Sequence, residues 1–108
     1  MTRGAIILVP FPFTDLSGQK VRPALVVHAS KRGEDCIVAF ITSGKAKRVH
    51  SFDVPIEPSP KNGLKTHSIV KIDKLATLQK KIVFGEIGTL DAPALTTVKE
   101  KLRLLFQL

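Results

Sequence analysis

The spacing of the apolar residues changes once along this chain, and that change constrains the fold more than any other feature. Six short runs rich in apolar and β-branched residues come first, and turn-forming residues separate them, as is typical of β-strands. These runs cover residues 4–9, 24–28, 35–42, 51–57, 68–73 and 80–88. The third run is apolar almost throughout, which indicates a strand that is buried on both faces.

The last segment, residues 89–108, has the spacing of an amphipathic helix. Its apolar positions are Leu95, Val98, Leu102 and Leu105. Asp91 is in the position of an N-cap and Pro93 lies in the first turn, both common at helix starts. Six strands followed by one helix predict a mainly β fold, a small and partly open β-barrel with the C-terminal helix packed on it.

Length and composition indicate one globular domain over residues 1–108. The hydrophobic fraction is 44% and the charged fraction 24%, as in ordinary globular proteins. No apolar run approaches the about 18 residues that span a bilayer, and prolines interrupt the N-terminal apolar run, so we expect neither a membrane segment nor a signal peptide. A single cysteine, Cys36, cannot form a disulfide framework. A cytoplasmic location fits these features best.

The charge of the chain points to an anionic partner. Seventeen basic and nine acidic residues give a net charge of +8 and a pI near 10.0. A basic domain of this kind suits a nucleic acid, and it suits an acidic protein as well. A surface that is simply rich in lysine is the alternative, and composition alone does not separate these readings.

Metal and cofactor chemistry find no support in the sequence. The three histidines, His28, His50 and His67, are scattered, and no His or Cys pair shows a ligand spacing. No glycine-rich phosphate-binding motif occurs either. We therefore expect no cofactor and no metal.

Polar residues at strand ends are the remaining candidates for a site. They are Arg22, Thr42, Ser43, Lys71 and Asp73. Strand ends converge on one rim of a small barrel, where an arginine fork and a hydroxyl could hold one phosphate. From spacing alone, a solvated charge, an ordinary turn and a surface ion pair explain the same residues.

Four segments in order resemble one known family, the MazF/PemK-type endoribonuclease toxins of bacterial toxin–antitoxin pairs. They are RGAIILVPFPFTDLSGQKVRPALVV, IVAFITS, NGLKTHSIVKIDKLATL and IGTLDAPALTTVKEKLRLLFQL. The resemblance covers nearly the whole chain. It implies an SH3-like barrel of the MazF/PemK/CcdB type, a homodimer, an acidic antitoxin as partner, and metal-independent cleavage of single-stranded mRNA through attack of the ribose 2′-OH.

The resemblance also implies roles for individual residues. Arg22 and Thr42 match the family's arginine and hydroxyl positions and are the expected catalytic residues. Asp73 is our choice of general base, with His50 as a weaker choice. Residues 14–20 would form a flap over the RNA groove. The expected RNA-binding residues are Asp15, Lys20, Ser43, Lys45, Lys47, Arg48, Lys71 and Thr77.

Two positions depart from the family pattern and leave two alternatives open. Lys71 stands where some members have arginine, and Ala76 replaces another basic residue. A lysine keeps the charge but loses the bidentate fork. One alternative is therefore a barrel that binds RNA without cleaving it. The other is a gyrase poison resembling the CcdB toxins, which only the shared fold suggests.

Overall fold

The computed structural model describes residues 1–11, 20–45 and 47–108. Within these residues, six strands precede one α-helix, and a short 3₁₀ turn at Lys80–Ile82 joins the last two strands. The elements are β1 (Ala5–Phe11), β2 (Lys20–Ala29), β3 (Asp35–Ser43), β4 (Asp53–Ile56), β5 (Ser68–Gln79), β6 (Gly85–Thr89) and α1 (Ala92–Phe106).

All six strands belong to one curled sheet in the order β4-β5-β3-β2-β1-β6. Every neighbouring pair is antiparallel, and β4 and β6 form the two edges. The sheet curls into half a barrel, with α1 packed on one of its faces. The predicted fold class, mainly β with a C-terminal helix, is confirmed.

Alternation along the strands divides the apolar residues between the two faces of the sheet. The helix-side face, which packs against α1, carries Ile6, Leu25, Ala39, Ile41, Val70 and Ile72 among its buried residues. The far face, which points away from α1, carries Ile7, Val9, Ala24, Val26 and Val38. The central strands are thus buried on both faces, as the continuous apolar content of the third run predicts.

Helix α1 forms as its sequence predicts. The Asp91 side chain caps it by accepting a hydrogen bond of 2.9 Å from Ala94 N–H, and Pro93 lies in its first turn. Its four predicted apolar positions pack on the helix-side core. Lys101 Nζ donates a 2.8 Å hydrogen bond to Asp53 O, which ties the helix to β4. Among the described residues, no helix combines the length and the apolar character needed to cross a membrane.

Three strand predictions require correction. The fifth strand continues to Gln79, so Lys71 and Asp73 lie within β5 instead of at its end. The second strand begins at Lys20, so Arg22-Pro23 lies within β2 instead of opening it. Pro23 pairs with Leu8 of β1, while pairing with β3 starts only at Ala24. At Pro23 the strand therefore has a neighbour on one side only, where a missing N–H donor is tolerated.

The sixth strand begins later than predicted. Residues 80–82 form the 3₁₀ turn, in which Lys80 O accepts a 3.1 Å hydrogen bond from Val83 N–H. Phe84 N–H then donates to Leu8 O at 2.8 Å, which returns the chain to the sheet beside β1. The apolar residues of this segment pack on the far-face core, so periodicity alone does not distinguish the turn from a strand.

Candidate functional site

Arg22 and Thr42 line the same cavity on the far face of the sheet. Its volume is about 310 Å³, and it lies over the start of β2 and the end of β3. The other residues that line it are Val9, Phe11, Pro23, Phe40, Ile41 and Lys74. Two of the predicted catalytic residues therefore line one pocket.

The register of β2 and β3 explains why these two residues meet. Ala24 pairs with Phe40 and Leu25 with Ala39, in antiparallel order. Arg22 and Thr42 each lie two residues beyond the Ala24–Phe40 pair, so both side chains are on the same face of the sheet as that pair. Both side chains are exposed, so their polar ends are accessible to a ligand.

Aromatic side chains give the cavity an apolar wall. The rings of Phe11 and Phe40 lie edge to face, with centroids 5.7 Å apart and an interplanar angle of 74°. Val9, which is 1% exposed, is part of the far-face core beneath them. A guanidinium and a hydroxyl beside an apolar wall can hold a phosphate and contact the sugar or base attached to it.

An irregularity in β5 brings a lysine to this cavity that sequence reasoning missed. Phe40 of β3 pairs with Lys71, yet the preceding residue, Ala39, pairs with Leu75. Residues 72–74 are therefore extra on β5 and form a bulge, a feature that re-aims side chains. Within it, Ile72 is buried in the helix-side core, whereas Lys74 lines the cavity. Register shifts leave no signal in a single sequence, so only the structure identifies Lys74.

Lys71, a predicted RNA-binding residue that stands where some family members have arginine, forms an ion pair with Asp53. Its Nζ lies 3.0 Å from Oδ1 of Asp53, whose side chain is 3% exposed. Burial by itself would raise the pKa of the Asp53 carboxyl, but the hydrogen bonds from Lys71 Nζ and His50 N–H, with the nearby positive charges, outweigh it and lower the pKa. Lys71 thus neutralises a buried carboxylate on the strand beside the cavity.

A second cavity adjoins the first on the far face. It has a volume of about 500 Å³ and is lined by Gly44, Lys45, Val49, Pro55, Ile56, Glu57, His67, Ser68 and Ile69. Ile69 pairs with Thr42 on one side and with Pro55 on the other. Directly paired residues lie about 4.5–5.5 Å apart, so the two cavities are neighbours on the far face, and together they are called the far-face groove below.

The remaining predicted site residues lie in several places. Asp73 is exposed within the β5 bulge and does not line the Arg22 cavity. Thr77 pairs with Ile37, which packs on the helix-side core, so Thr77 lies on the opposite face from the groove. Lys20, Ser43, Lys47, Arg48 and His50 are exposed, and Lys45 lines the second cavity. Asp15 and the flap, apart from Lys20, lie outside the described residues.

Within residues 1–11, 20–45 and 47–108, no group of three or more His, Cys, Asp and Glu side chains could hold a metal ion. The single cysteine, Cys36, is 1% exposed, and burial raises its pKa, although the charge of Lys80 opposes the rise in part. A buried thiol with a raised pKa is a structural residue and a poor nucleophile.

Comparison with known proteins identifies relatives of this arrangement. A family model described as PemK-like, MazF-like toxin of type II toxin–antitoxin system matches residues 2–106. No curated protein sequence matches the chain closely enough to be counted as a relative.

Solved structures share the fold over nearly the full length of the chain. The Mycobacterium tuberculosis toxin MazF-mt6 is 23% identical with a TM-score of 0.76, and the match covers 96% of this chain and 97% of that one. MazF from Deinococcus radiodurans is 23% identical at a TM-score of 0.76, with 100% and 97% covered. An endoribonuclease in complex with its cognate antitoxin from a mycobacterial species is 18% identical at 0.78, with 100% and 96% covered. At such identities the likeness establishes the fold alone.

Proposed function

The chain belongs to the PemK-like, MazF-like family of toxins of type II toxin–antitoxin systems, and we propose that it is the sequence-selective endoribonuclease of such a pair. Its substrate is single-stranded mRNA, and it acts in the cytoplasm. The observation that carries this proposal is the cavity that Arg22 and Thr42 line together with Lys74. Two cations and a hydroxyl in one pocket match the charge and the hydrogen-bonding needs of a phosphodiester.

The proposed reaction is an internal transfer of the phosphoryl group. The ribose 2′ oxygen attacks the adjacent phosphorus, and the bond from phosphorus to the 5′ oxygen of the next nucleotide breaks. A base takes the 2′-OH proton, and the departing 5′ oxygen receives a proton. The products are a cyclic phosphate and a 5′-OH end. DNA lacks the nucleophile, so the reaction requires RNA.

Arg22 and Thr42 have different roles at the phosphate. The Arg22 guanidinium stabilises the negative charge that develops on the phosphate oxygens, an effect of about 10²–10³ in rate for one well-placed donor. The guanidinium acts through its charge and its hydrogen bonds and not as a proton donor. The Thr42 hydroxyl holds the phosphate in the orientation for in-line attack. Lys74 adds a point charge to the same pocket.

Asp73 is our candidate for the general base. It neighbours Lys74 within the β5 bulge and is exposed. RNA that binds in the Arg22 cavity would pass beside this bulge, which supports a carboxylate from this position as the proton acceptor. Asp73→Asn removes the basic oxygen with little change in volume, so retention of full activity by this variant would rule out the assignment.

An acidic antitoxin is the proposed protein partner. Three cations, Arg22, Lys45 and Lys74, line the far-face groove, against one described carboxylate, Glu57. A negatively charged chain laid along the groove would match its charge and block RNA. One structural neighbour is an endoribonuclease in complex with its cognate antitoxin from a mycobacterial species, and another is a MazE-MazF structure from Deinococcus radiodurans. A homodimer is the assembly that family membership suggests.

Incubation of the purified chain with mixed single-stranded RNA in EDTA tests the proposal. We expect cleavage with 5′-OH products for the wild type and a loss of about 10²–10³ in rate for Arg22→Ala. Lys99→Ala, at an exposed position on α1, is the matched control for loss of a positive charge. No cleavage of any RNA, or equal cleavage by Arg22→Ala, would refute this mechanism. Binding without products would favour the non-catalytic alternative, which the substitutions at Lys71 and Ala76 suggest.

A further inference from the structure

We propose that the second cavity of the groove is a nucleobase subsite in which Glu57 selects a base with an exocyclic amino group over uracil. This inference rests on the proposed function, because it concerns the nucleotide next to the phosphate held by Arg22 and Thr42. The cavity has a volume of about 500 Å³, which is ample for one base with its sugar. A base can occupy this cavity without contacting the side chains that bind the phosphate.

The position of this cavity fits a neighbouring nucleotide. Thr42 lines the first cavity, and its paired residue on β5, Ile69, lines the second. On its other side, Ile69 pairs with Pro55 of β4. A strand of RNA held at Thr42 therefore reaches the second cavity within one step across the sheet, about 4.5–5.5 Å.

The lining of the cavity suits the flat face of a base. Val49, Pro55 and Ile69 supply apolar surface from three different segments, and Val49 is 52% exposed. His67 adds a ring on which a base can stack, as single-stranded RNA does on aromatic side chains. The Gly44 N–H donates a 2.7 Å hydrogen bond to His67 O, which holds the β3 end against the start of β5 and fixes the cavity wall.

Glu57 is the feature that gives the cavity selectivity. Asp53, Pro55 and Glu57 are spaced two residues apart, as residues on one face of an extended chain are. Asp53 is already paired with Lys71, whereas in the part of the chain that the structure describes no hydrogen bond or ion pair holds the Glu57 carboxylate. Glu57 O accepts a 2.8 Å hydrogen bond from Asn62 Nδ2, which fixes the backbone at this residue.

A carboxylate in a groove for RNA has a restricted choice of partners. An ionised carboxylate only accepts hydrogen bonds and repels phosphate, so its contacts must be with donors on a base or a sugar. The amino groups of adenine, cytosine and guanine are such donors, and guanine has an N–H beside its amino group that can bind the second oxygen. Uracil presents two carbonyl oxygens with one N–H between them, so a carboxylate there meets repulsion on both sides.

The test compares cleavage motifs of wild type, Glu57→Gln and a matched control, Glu86→Gln, which changes an exposed carboxylate on β6. Sequencing of the 5′-OH ends from a random RNA pool gives the base preference at each position. We expect wild type and Glu86→Gln to disfavour uracil at one position flanking the cut by roughly 5–150-fold, the range for one good base contact. Glu57→Gln should accept uracil there, because an amide can both donate and accept. An unchanged motif in Glu57→Gln would overturn the subsite.

A second readout separates this inference from the proposed activity. Pools of 2′-O-methyl RNA cannot be cleaved, because the nucleophile is blocked, but they can still bind. Selection from such pools should show the same discrimination against uracil in the wild type, and its loss in Glu57→Gln. If wild type and Glu57→Gln select RNA with the same base preference, the subsite is overturned, whether or not the chain cleaves RNA. Discrimination in binding without any cleavage would support the subsite and refute the proposed reaction.

Discussion

Arg22 lies two residues before Ala24 on β2, and Thr42 lies two residues after Phe40 on β3, just beyond the Ala24–Phe40 pair where the pairing of these strands ends. Both line one cavity of about 310 Å³ on the face of the sheet away from α1. An entire β-hairpin separates them in the sequence. The pairing of β2 with β3 brings the two residues together. They supply the guanidinium and the hydroxyl of the proposed phosphate site.

Substitutions of Arg22 test whether geometry or charge alone is required. Arg22→Lys keeps the charge but removes the planar fork, so we expect a rate of RNA cleavage between that of wild type and that of Arg22→Ala. Single-turnover rates at fixed salt measure the effect. Thr42→Val, which has a similar shape but no hydroxyl, should also slow the reaction. Equal rates for Arg22→Lys and wild type would show that only the charge matters.

The two lysines of β5 should differ in what their loss changes. Lys74 lines the cavity, so Lys74→Ala should weaken RNA binding and reduce the slope of log affinity against log salt by about 1. Lys71→Met should mainly lower stability, because it leaves the Asp53 carboxylate buried without its partner. Binding titrations between low and high salt, together with urea unfolding, separate the two effects. If Lys71→Met changed the salt slope and Lys74→Ala did not, Lys71 would be the RNA-binding lysine of the two.

The buried pair of Asp53 and Lys71 should make stability depend on pH in the acid range. The pKa of Asp53 is lowered in the folded protein. Its ionised form therefore stabilises the fold above the unfolded pKa of about 3.9, and this contribution is lost as the pH falls through the lower folded value. Asp53→Asn should cost, at pH 7, the lower end of the about 3–5 kcal/mol range for breaking a buried pair, because the Lys71 side chain is 21% exposed.

Urea unfolding of wild type and Asp53→Asn at several pH values measures this dependence. The difference in the free energy of unfolding should shrink as the pH falls below about 4. A constant difference between pH 7 and pH 3 would show that the carboxylate's charge is not what stabilises the fold.

The turn between β4 and β5 should depend on a glycine. Gly63 has a φ of +69°, and a Cβ there would collide with the carbonyl oxygen of Ile87. We expect Gly63→Ala to lower the free energy of unfolding by about 1–3 kcal/mol, since the left-handed backbone and the collision both oppose the methyl group. Gly85→Ala is the control, because nothing lies within 4 Å of its added Cβ. Similar stability for the two variants would contradict the role assigned to Gly63.

Local patterns in the sequence were enough to predict the elements and several of their details. Helix α1, with its Asp91 cap and its apolar stripe, follows from short-range spacing and from hydrogen bonds within one turn. The apolar third run predicts a strand buried on both faces, and β3 is one. The resemblance in four segments also predicts the fold class and the family. These features depend on residues near one another in the chain, so a single sequence contains them.

Features that depend on register and on distant contacts were decided only by the tertiary structure. The bulge in β5 presents Lys74 to the cavity. Strand β4 pairs with β5 and places Asp53 beside Lys71, so these two side chains form an ion pair. The extent of β2, and the joining of two cavities at the Thr42–Ile69 pair, have the same origin. Strand pairing is set by packing between segments far apart in the chain, and a shift of one residue reverses which face a side chain occupies. The sequence therefore determined most of the candidate residues, and the register of the sheet decided which of them meet and brought Lys74 to join them.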